Sequence, residues 1–185
     1  FYPERPRAVL AAHKKFIVAR VAESLLLVAF IILSVTHNSL YISDITTFYH
    51  TTTLPLSLAE QLAAFLIAFA ALIKCAQLPM HGWLIKVVEV PTPVSALLHA
   101  GVINLGGFLL ILFAPLFIQA AAAQWLILII AGLTTVISAL IMTTRISVKV
   151  RLAWSTSAQM GLMLIECALG LFELALLHLV THSTY

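Results

Sequence analysis

The sequence predicts an all-α membrane protein, a polytopic bundle of transmembrane helices in which one helix is broken by a proline. Of the 185 residues, 62% are hydrophobic and 9% are charged, whereas soluble domains carry charge on about 25% of their residues. The mean hydropathy is +1.09, and apolar runs of about 20 residues, the length that crosses a bilayer, recur along the chain. Lipid is therefore the solvent for most of this chain.

Six apolar runs give the expected spans of one transmembrane domain that covers residues 1–185. The spans are 16–35, 56–89 with a break near 76–79, 93–113, 122–142, 152–169 and 172–185. The last run ends before it is long enough to cross, and the chain begins with Phe1 rather than Met, so we interpret the sequence as an internal fragment. The polar segment between His37 and Pro55 is predicted to be a loop.

The second run is too long to be one straight helix. At 1.5 Å per residue it would extend about 50 Å, against a hydrocarbon core of about 30 Å. Pro79 removes a helix hydrogen bond and clashes with the preceding turn, so we expect the break just before this residue. Irregular backbone at membrane depth is tolerated where it is buried in protein or lines a wet cavity, and such breaks recur at ion sites of transporters.

All but one of the ten basic residues lie near the ends of the expected spans. If the spans alternate in direction, nine fall on one side of the membrane, which predicts that this side, with the residues before 16, is cytoplasmic. The nine are Arg5, Arg7, Lys14, Lys15, Arg20, Lys86, Arg145, Lys149 and Arg151. Their short clusters form no continuous basic face, so nucleic acid is not an expected partner.

The tenth basic residue, Lys74, lies inside the second apolar run and one turn from the expected break. A lysine at the bilayer centre costs about 2.5–3.5 kcal/mol on insertion scales, so it needs a partner, water or a function. Burial disfavours the charged form of an amine, which is the property that a proton relay requires. The alternative is a lysine that reaches the cytoplasmic interface along its own helix. We favour the relay.

Three histidines in apolar runs are further proton-path candidates. His99 is the one titratable group of the third run, and a histidine is suited to passing protons near neutral pH. The alternative is a neutral histidine bonded to a backbone carbonyl. His178 and His182 are four residues apart and share a helix face. No HExxH pattern and no adjacent cysteine or carboxylate completes a metal shell around them, so no metal is expected.

Carboxylates complete the set of candidates. Glu23 follows Arg20 by three residues and can pair with it on the first helix, as a structural or a functional contact. Glu89 follows the broken element and is a candidate for the cytoplasmic entrance. Glu166 is either an exit group or an interfacial carboxylate.

Four stretches together resemble one large family of membrane subunits. Residues 74–84 read KCAQLPMHGWL and residues 91–100 read PTPVSALLHA; residues 149–161 and 178–182 agree with the same pattern. The sequence resembles the antiporter-like subunits that respiratory complex I shares with the Mrp cation/proton antiporters. Within that family it is most similar to the DabB-type subunits of inorganic-carbon uptake complexes.

The resemblance implies a bundle of two inverted repeats with buried lysines, histidines and a glutamate along a proton path. Lys74 takes the place of the family's lysine on the broken helix, and His99 that of the basic residue on the next helix. His178 and His182 match histidines of a later helix. The glutamate that partners the lysine is expected before Phe1, and a further lysine just after Tyr185.

Three functions are compatible with these residues. The first is a proton- or Na⁺-translocating subunit that drives inorganic carbon uptake, with a DabA-like zinc protein as its partner. The second is the equivalent subunit of NADH-quinone oxidoreductase or of an Mrp antiporter, with the other subunits of those complexes as partners. The third is a non-conducting scaffold whose polar groups only hold helices together. For the first two, the expected location is the bacterial cytoplasmic membrane.

The sequence holds no Gly-rich dinucleotide turn, no cysteine cluster and no haem ligation pattern. We therefore expect no cofactor and no redox chemistry in this chain itself. Cys75 and Cys167 both lie in apolar runs, where buried thiols are common.

Overall fold

The computed structural model describes residues 4–51, 55–86 and 91–184. Every regular element within these ranges is a helix, which confirms the predicted all-α class. The helices are α1 (Pro6–His37), α2 (Ile42–Thr51), α3 (Leu58–Lys74), α4 (Gly82–Lys86), α5 (Thr92–Ala100), α6 (Leu105–Leu112), α7 (Ala114–Gln119), α8 (Ala121–Thr143), α9 (Val148–Ala168) and α10 (Phe172–Thr184). A 3-10 turn, Val102–Asn104, joins α5 to α6.

Three helical stretches among the described residues are long and apolar enough to cross a membrane: Pro6–His37, Pro93–Leu112 and Ala121–Thr143. Helix α1 has 32 residues, about 48 Å at 1.5 Å per residue, so its basic N-terminal turns extend beyond a hydrocarbon core of about 30 Å. The expected span 16–35 is its central and C-terminal part. Helix α9 has 21 residues and contains the expected span 152–169 except for its last residue.

The segment between His37 and Pro55 is partly helical, so its prediction as a loop was wrong. Helix α2 (Ile42–Thr51) buries Ile45 and Tyr49, which are four residues apart and share one face. Its threonine hydroxyls donate to backbone carbonyls of the preceding turn. Polar and β-branched residues concealed this helix, since its apolar face is stabilised by packing against α7, which sequence patterns do not report.

Helix α3 begins with a capping box. The Ser57 hydroxyl accepts the Glu60 backbone N–H at 3.3 Å, and the Glu60 carboxylate accepts the Ser57 backbone N–H at 2.7 Å. This exchange satisfies two backbone donors that a helix N-terminus leaves unpaired. The start of α3 is therefore specified by its own first turn.

Helix α3 ends at Lys74, and the next helix begins at Gly82. The break expected near 76–79 falls in this interval, where Ala76 has a left-handed φ of 51° and the Leu78–Pro79 peptide is cis. The chain is thus irregular immediately after Lys74. The predicted second span 56–89 is divided between α3, this irregular segment and α4, while residues 87–90 lie outside the described part of the chain.

Side chains of two neighbouring helices satisfy the backbone of the break. The Leu78 N–H donates to Thr134 Oγ1 of α8 at 3.1 Å, and Ser157 Oγ of α9 donates to the Ala76 carbonyl at 3.2 Å. Both hydroxyl-bearing residues are fully buried. An unpaired backbone group in an apolar environment costs several kcal/mol, so these two hydroxyls explain how irregular backbone persists inside the bundle.

Small residues allow α3 to contact its neighbours closely. Helix α3 packs against α1, α6 and α8, and α8 packs against α9. A Cβ at Gly106 of α6 would overlap with Cys75 Sγ and with the carbonyl oxygen of Ala71. Close approach through small residues is the usual way in which membrane helices pack. The result places the end of α3 at the centre of the bundle.

Candidate functional site

Lys74 lies at the C-terminal end of α3, directly before the break, with 16% of its side chain exposed. Its ammonium Nζ is 3.8 Å from Glu23 Oε1 of α1. Glu23 also forms an ion pair through Oε2 with Arg20, one turn earlier on the same helix. One carboxylate is therefore shared between a lysine of α3 and an arginine of α1.

The glutamate that the family resemblance implies as the partner of Lys74 would lie before Phe1, outside this sequence, so it stays a prediction. The structure supplies an acidic neighbour within the chain, because antiparallel packing of α1 on α3 brings Glu23 beside Lys74. The residues lie 51 positions apart in the sequence, so no local pattern links them. Glu23 was selected as a candidate through its pairing with Arg20, which the structure also contains.

A small cavity of about 40 Å³ adjoins Lys74 and is lined in part by Lys15, Ala22 and Trp83. A volume of about 10–15 Å³ by this measure holds one water molecule, so the cavity has room for two or three. Lys15 belongs to the basic N-terminal turns of α1. The cavity thus lies between the buried lysine and the part of α1 that extends toward the basic side of the membrane.

His99 lies on α5 and is buried, with 9% of the residue exposed. Its Nδ1 is 3.0 Å from Thr156 Oγ1 of α9, and that hydroxyl is 2.9 Å from the Leu152 carbonyl. Because the hydroxyl donates its one proton to the carbonyl, it accepts from His99, so Nδ1 carries the proton in the neutral ring. The remaining nitrogen, Nε2, is then an acceptor.

His178 and His182 share a face of α10, and their ring centroids are 6.5 Å apart. The carboxylate of Glu166, on α9, lies 3.2 Å from His178 Nδ1 through both of its oxygens. Helix α10, which carries both rings, also contacts α5, which carries His99. Helices α5, α9 and α10 therefore bring three histidines and one carboxylate into a single cluster.

A cleft of about 340 Å³ connects members of this cluster. It is lined by Thr156, which binds His99, and by Gln159, His178, Thr181 and His182. Water in such a polar cleft would bridge groups that do not touch. The cleft provides the space and the polar lining that a proton path through these histidines needs.

The structure separates the candidates into two groups. Glu23, Arg20 and Lys74 form one, and His99, His178, His182 and Glu166 form the other. No hydrogen bond in the described part of the chain joins Lys74 to His99. Pro79 lies in the break between α3 and α4 and lines a separate cleft with Lys14 and Lys86. Glu89 lies outside the described residues.

Two contributors to the site were not selected from the sequence. Glu166 was considered only as an exit group or an interfacial carboxylate, because nothing in its own helix indicates that His178 of the next helix lies beside it. Thr156 lies within residues 149–161, which carry part of the family resemblance, but no role was assigned to it. Among the described residues, no three His, Cys, Asp or Glu side chains converge as metal ligands.

Comparison with known protein families matches residues 1–185 to the family described as "NADH:quinone oxidoreductase/Mrp antiporter, TM". The chain belongs to this family. The match covers the whole sequence, which confirms the resemblance found in its motifs and places the protein among integral membrane proteins.

Relatives within the family agree with this assignment. The chain is 67% identical over its full length to the "Probable inorganic carbon transporter subunit DabB" of Hydrogenovibrio crunogenus, covering 36% of that protein. It is 48% identical over its full length to the subunit named DabB2 of Halothiobacillus neapolitanus, covering 33% of that protein. The chain thus spans about a third of the length of these relatives.

A solved structure of the Mrp complex from Dietzia sp. has the same fold. The superposition has a TM-score of 0.90 at 27% sequence identity, and it covers 98% of this chain and 20% of the matching chain. The helix bundle described above is therefore a segment of an antiporter-like membrane fold.

Proposed function

We propose that this chain forms part of a subunit that moves protons across the membrane, with Lys74 as a proton-carrying group. The observation that carries this proposal is the placement of Lys74 beside Glu23, at the end of a broken helix and next to a cavity with room for water. An intramembrane ionisable residue with a named partner is a functional site by default, because its insertion is costly.

The carboxylate of Glu23 is shared between two cations. Arg20 and Lys74 contact different oxygens of Glu23. A movement of Glu23 toward Arg20 would break its ion pair with Lys74, and the return movement would restore it. The adjoining cavity has room for water that would accept and donate the proton of Lys74.

The second group supplies the continuation of the path. His99 presents Nε2 as an acceptor, and the cleft beside Thr156 leads to His182 and His178. Glu166 lies at the far side of the cluster, with its carboxylate 3.2 Å from His178 Nδ1. Protons pass between such groups by hydrogen bonds or through bridging water. The step between Lys74 and His99 needs water or a group outside the described residues.

The relatives favour coupling of this ion movement to inorganic carbon uptake. Both full-length matches described above are named as inorganic carbon transporter subunits. We propose the same role here, in the bacterial cytoplasmic membrane, with a DabA-like zinc protein among the partners. We further propose that the residues before 16 lie in the cytoplasm, because basic residues are concentrated on that side of the expected spans.

A second candidate is the equivalent subunit of an Mrp antiporter or of an NADH-quinone oxidoreductase. It is favoured by the fold match to the Mrp complex and by relatives such as the chloroplastic NAD(P)H-quinone oxidoreductase subunit 5 of Brachypodium distachyon, 34% identical over 99% of this chain. The higher identity to the carbon transporter subunits decides our order of preference. A pure scaffold would not need the polar cleft between α9 and α10.

The test uses the full-length subunit with its partners, reconstituted in liposomes, with proton and Na⁺ movement followed by separate dyes. We expect Lys74→Ala to abolish coupled proton movement while the complex still assembles. Lys149→Ala, which removes an exposed lysine of α9, is the matched control and should transport normally. Proton movement at the wild-type rate in Lys74→Ala would disprove the proposal; Na⁺ movement in the wild type would identify the alternative ion.

A further inference from the structure

A buried polar cluster around one carboxylate lies at the opposite end of α3 from Lys74. His37, the last residue of α1, has Nε2 at 2.7 Å from the Tyr49 hydroxyl and 3.2 Å from Glu60 Oε1. The Tyr49 hydroxyl donates to the same Oε1 at 2.7 Å. The side chains of His37 and Glu60 are each 10% exposed. Three helices therefore meet at one carboxylate.

The geometry of this cluster suits a structural junction rather than a ligand site. Glu60 Oε1 binds Tyr49 and His37, while Oε2 binds the Ser57 N–H and hydroxyl. Burial beside the carboxylate raises the pKa of Tyr49, so its hydroxyl keeps its proton and remains a donor. Both oxygens of Glu60 are thus occupied by groups of this chain.

The helix ends favour this charge arrangement. His37 is in the last turn of α1, where the helix dipole stabilises positive charge, and Glu60 is in the first turn of α3, where it stabilises negative charge. The two ends face each other because α1 and α3 pack in opposite directions. The junction is therefore specific for the antiparallel pair of helices.

The two polar side-chain contacts between α1 and α3 have matching spacing. On α1, Glu23 and His37 are 14 residues apart, and on α3, Glu60 and Lys74 are also 14 residues apart. Fourteen residues are about four helical turns, or about 21 Å, so each pair returns close to the same face of its helix. His37 meets Glu60 at one end, and Glu23 meets Lys74 at the other.

The buried side chains between these two contacts are apolar on both helices. On α1 they are Leu26, Ala29 and Leu33, and on α3 they include Ala63, Ala64, Ile67 and Ala68. Burial of apolar surface is non-directional, so it favours close packing of the helices more than one particular register. Setting the register of packed helices is the best-attested role of buried polar residues.

We propose that His37, Tyr49 and Glu60 set the register of α1 against α3 and so hold Glu23 beside Lys74, as positioning residues for the proton step. The relevance of this register to proton movement rests on the proposed function, whereas the contacts themselves do not. A slip of one helical turn would displace Glu23 by about 5.4 Å along the axis, which would separate a pair that is now 3.8 Å apart.

The experiment introduces Glu60→Gln into the full-length subunit and determines the structure of this variant in its complex. The measured quantity is the distance between the Glu23 carboxylate and Lys74 Nζ. We expect the Glu23 carboxylate to move beyond ion-pair distance of Lys74 Nζ, and proton movement in liposomes to slow by about tenfold because the ion pair of the proton step is lost. Asp44→Asn removes an exposed carboxylate of α2 and should change neither quantity.

Tyr49→Phe, which removes only the hydroxyl, is a second variant in case Glu60→Gln does not assemble. It should produce the same displacement of Glu23 from Lys74, and the same slowing of proton movement, in smaller measure. A Glu23–Lys74 separation that stays within 4 Å in either variant would overturn the inference. If the pair separates but Lys74→Ala still transports, the register inference stands and the proposed function fails, so the two outcomes are distinguishable.

Discussion

Glu23 Oε1 and Lys74 Nζ lie 3.8 Å apart across the interface of two antiparallel helices. The contact joins the middle of α1 to the last residue of α3, where the helix gives way to irregular backbone. Glu23 also binds Arg20. The position of the carboxylate therefore decides how strongly it interacts with each of these two cations. This relationship makes the carboxylate, as well as the lysine, a target for mutation.

Replacement of Glu23 by glutamine should slow proton movement by about tenfold, equivalent to about 1.4 kcal/mol in the barrier. The amide keeps the size of the side chain but removes the charge that stabilises the Lys74 ammonium. The rate is measured in liposomes with the full-length subunit in its complex. Glu173→Gln, which changes an exposed carboxylate of α10, is the control; an equal loss in both variants would contradict a specific role for Glu23.

Replacement of Thr156 by valine should destabilise the protein by about 1–3 kcal/mol, because it leaves His99 Nδ1 buried without its acceptor. It should also slow proton movement, since the tautomer of His99 is no longer fixed. Thermal unfolding of the purified complex measures the first effect and liposome assays the second. Thr143→Val, at an exposed position of α8, should leave both unchanged, and a stable, active Thr156→Val variant would contradict the assigned hydrogen bond.

Replacement of Glu166 by glutamine should slow proton movement by about tenfold, equivalent to about 1.4 kcal/mol in the barrier. The variant keeps the size of the side chain but removes the carboxylate that lies 3.2 Å from His178 Nδ1. The rate in liposomes is compared with that of Glu173→Gln, which lies on α10 with His178 but is exposed. A wild-type rate in Glu166→Gln would exclude Glu166 from the proton path.

Glycine-to-alanine substitutions test the close approach of α6 to the broken helix. Gly106→Ala should destabilise the protein by about 1–3 kcal/mol, because its Cβ would overlap with Cys75 Sγ and the Ala71 carbonyl. Gly132→Ala on α8 has no atom within 4 Å of the added carbon, so it should be neutral or slightly stabilising through better helix propensity. Equal stability of the two variants would contradict the described packing.

The sequence predicted what depends on composition and local pattern. Apolar runs indicated the helices, and Pro79 indicated where the second run is interrupted, because a missing N–H has a local consequence. Long-range contacts left no such signal. Glu23 meets Lys74, and His178 meets Glu166, through helix packing that no spacing encodes. Helix α2 was missed because its burial, rather than its propensity, stabilises it.

The roles of Lys74, His99, His178, His182 and Glu23 in proton movement stay predictions. The structure describes the surroundings of these side chains. The family match, which covers residues 1–185, supports the interpretation. The cluster of His37, Tyr49 and Glu60 was not anticipated, since its members come from two helix ends and a segment predicted to be a loop.

The most direct test of a proton-carrying Lys74 is its replacement by arginine. A guanidinium keeps the positive charge and can pair with Glu23, but it does not release its proton in a protein. Proton movement is measured in liposomes with the assembled complex. The account predicts that Lys74→Arg assembles normally and does not move protons. Proton movement at the wild-type rate would show that only the charge of Lys74 matters, and would contradict the account.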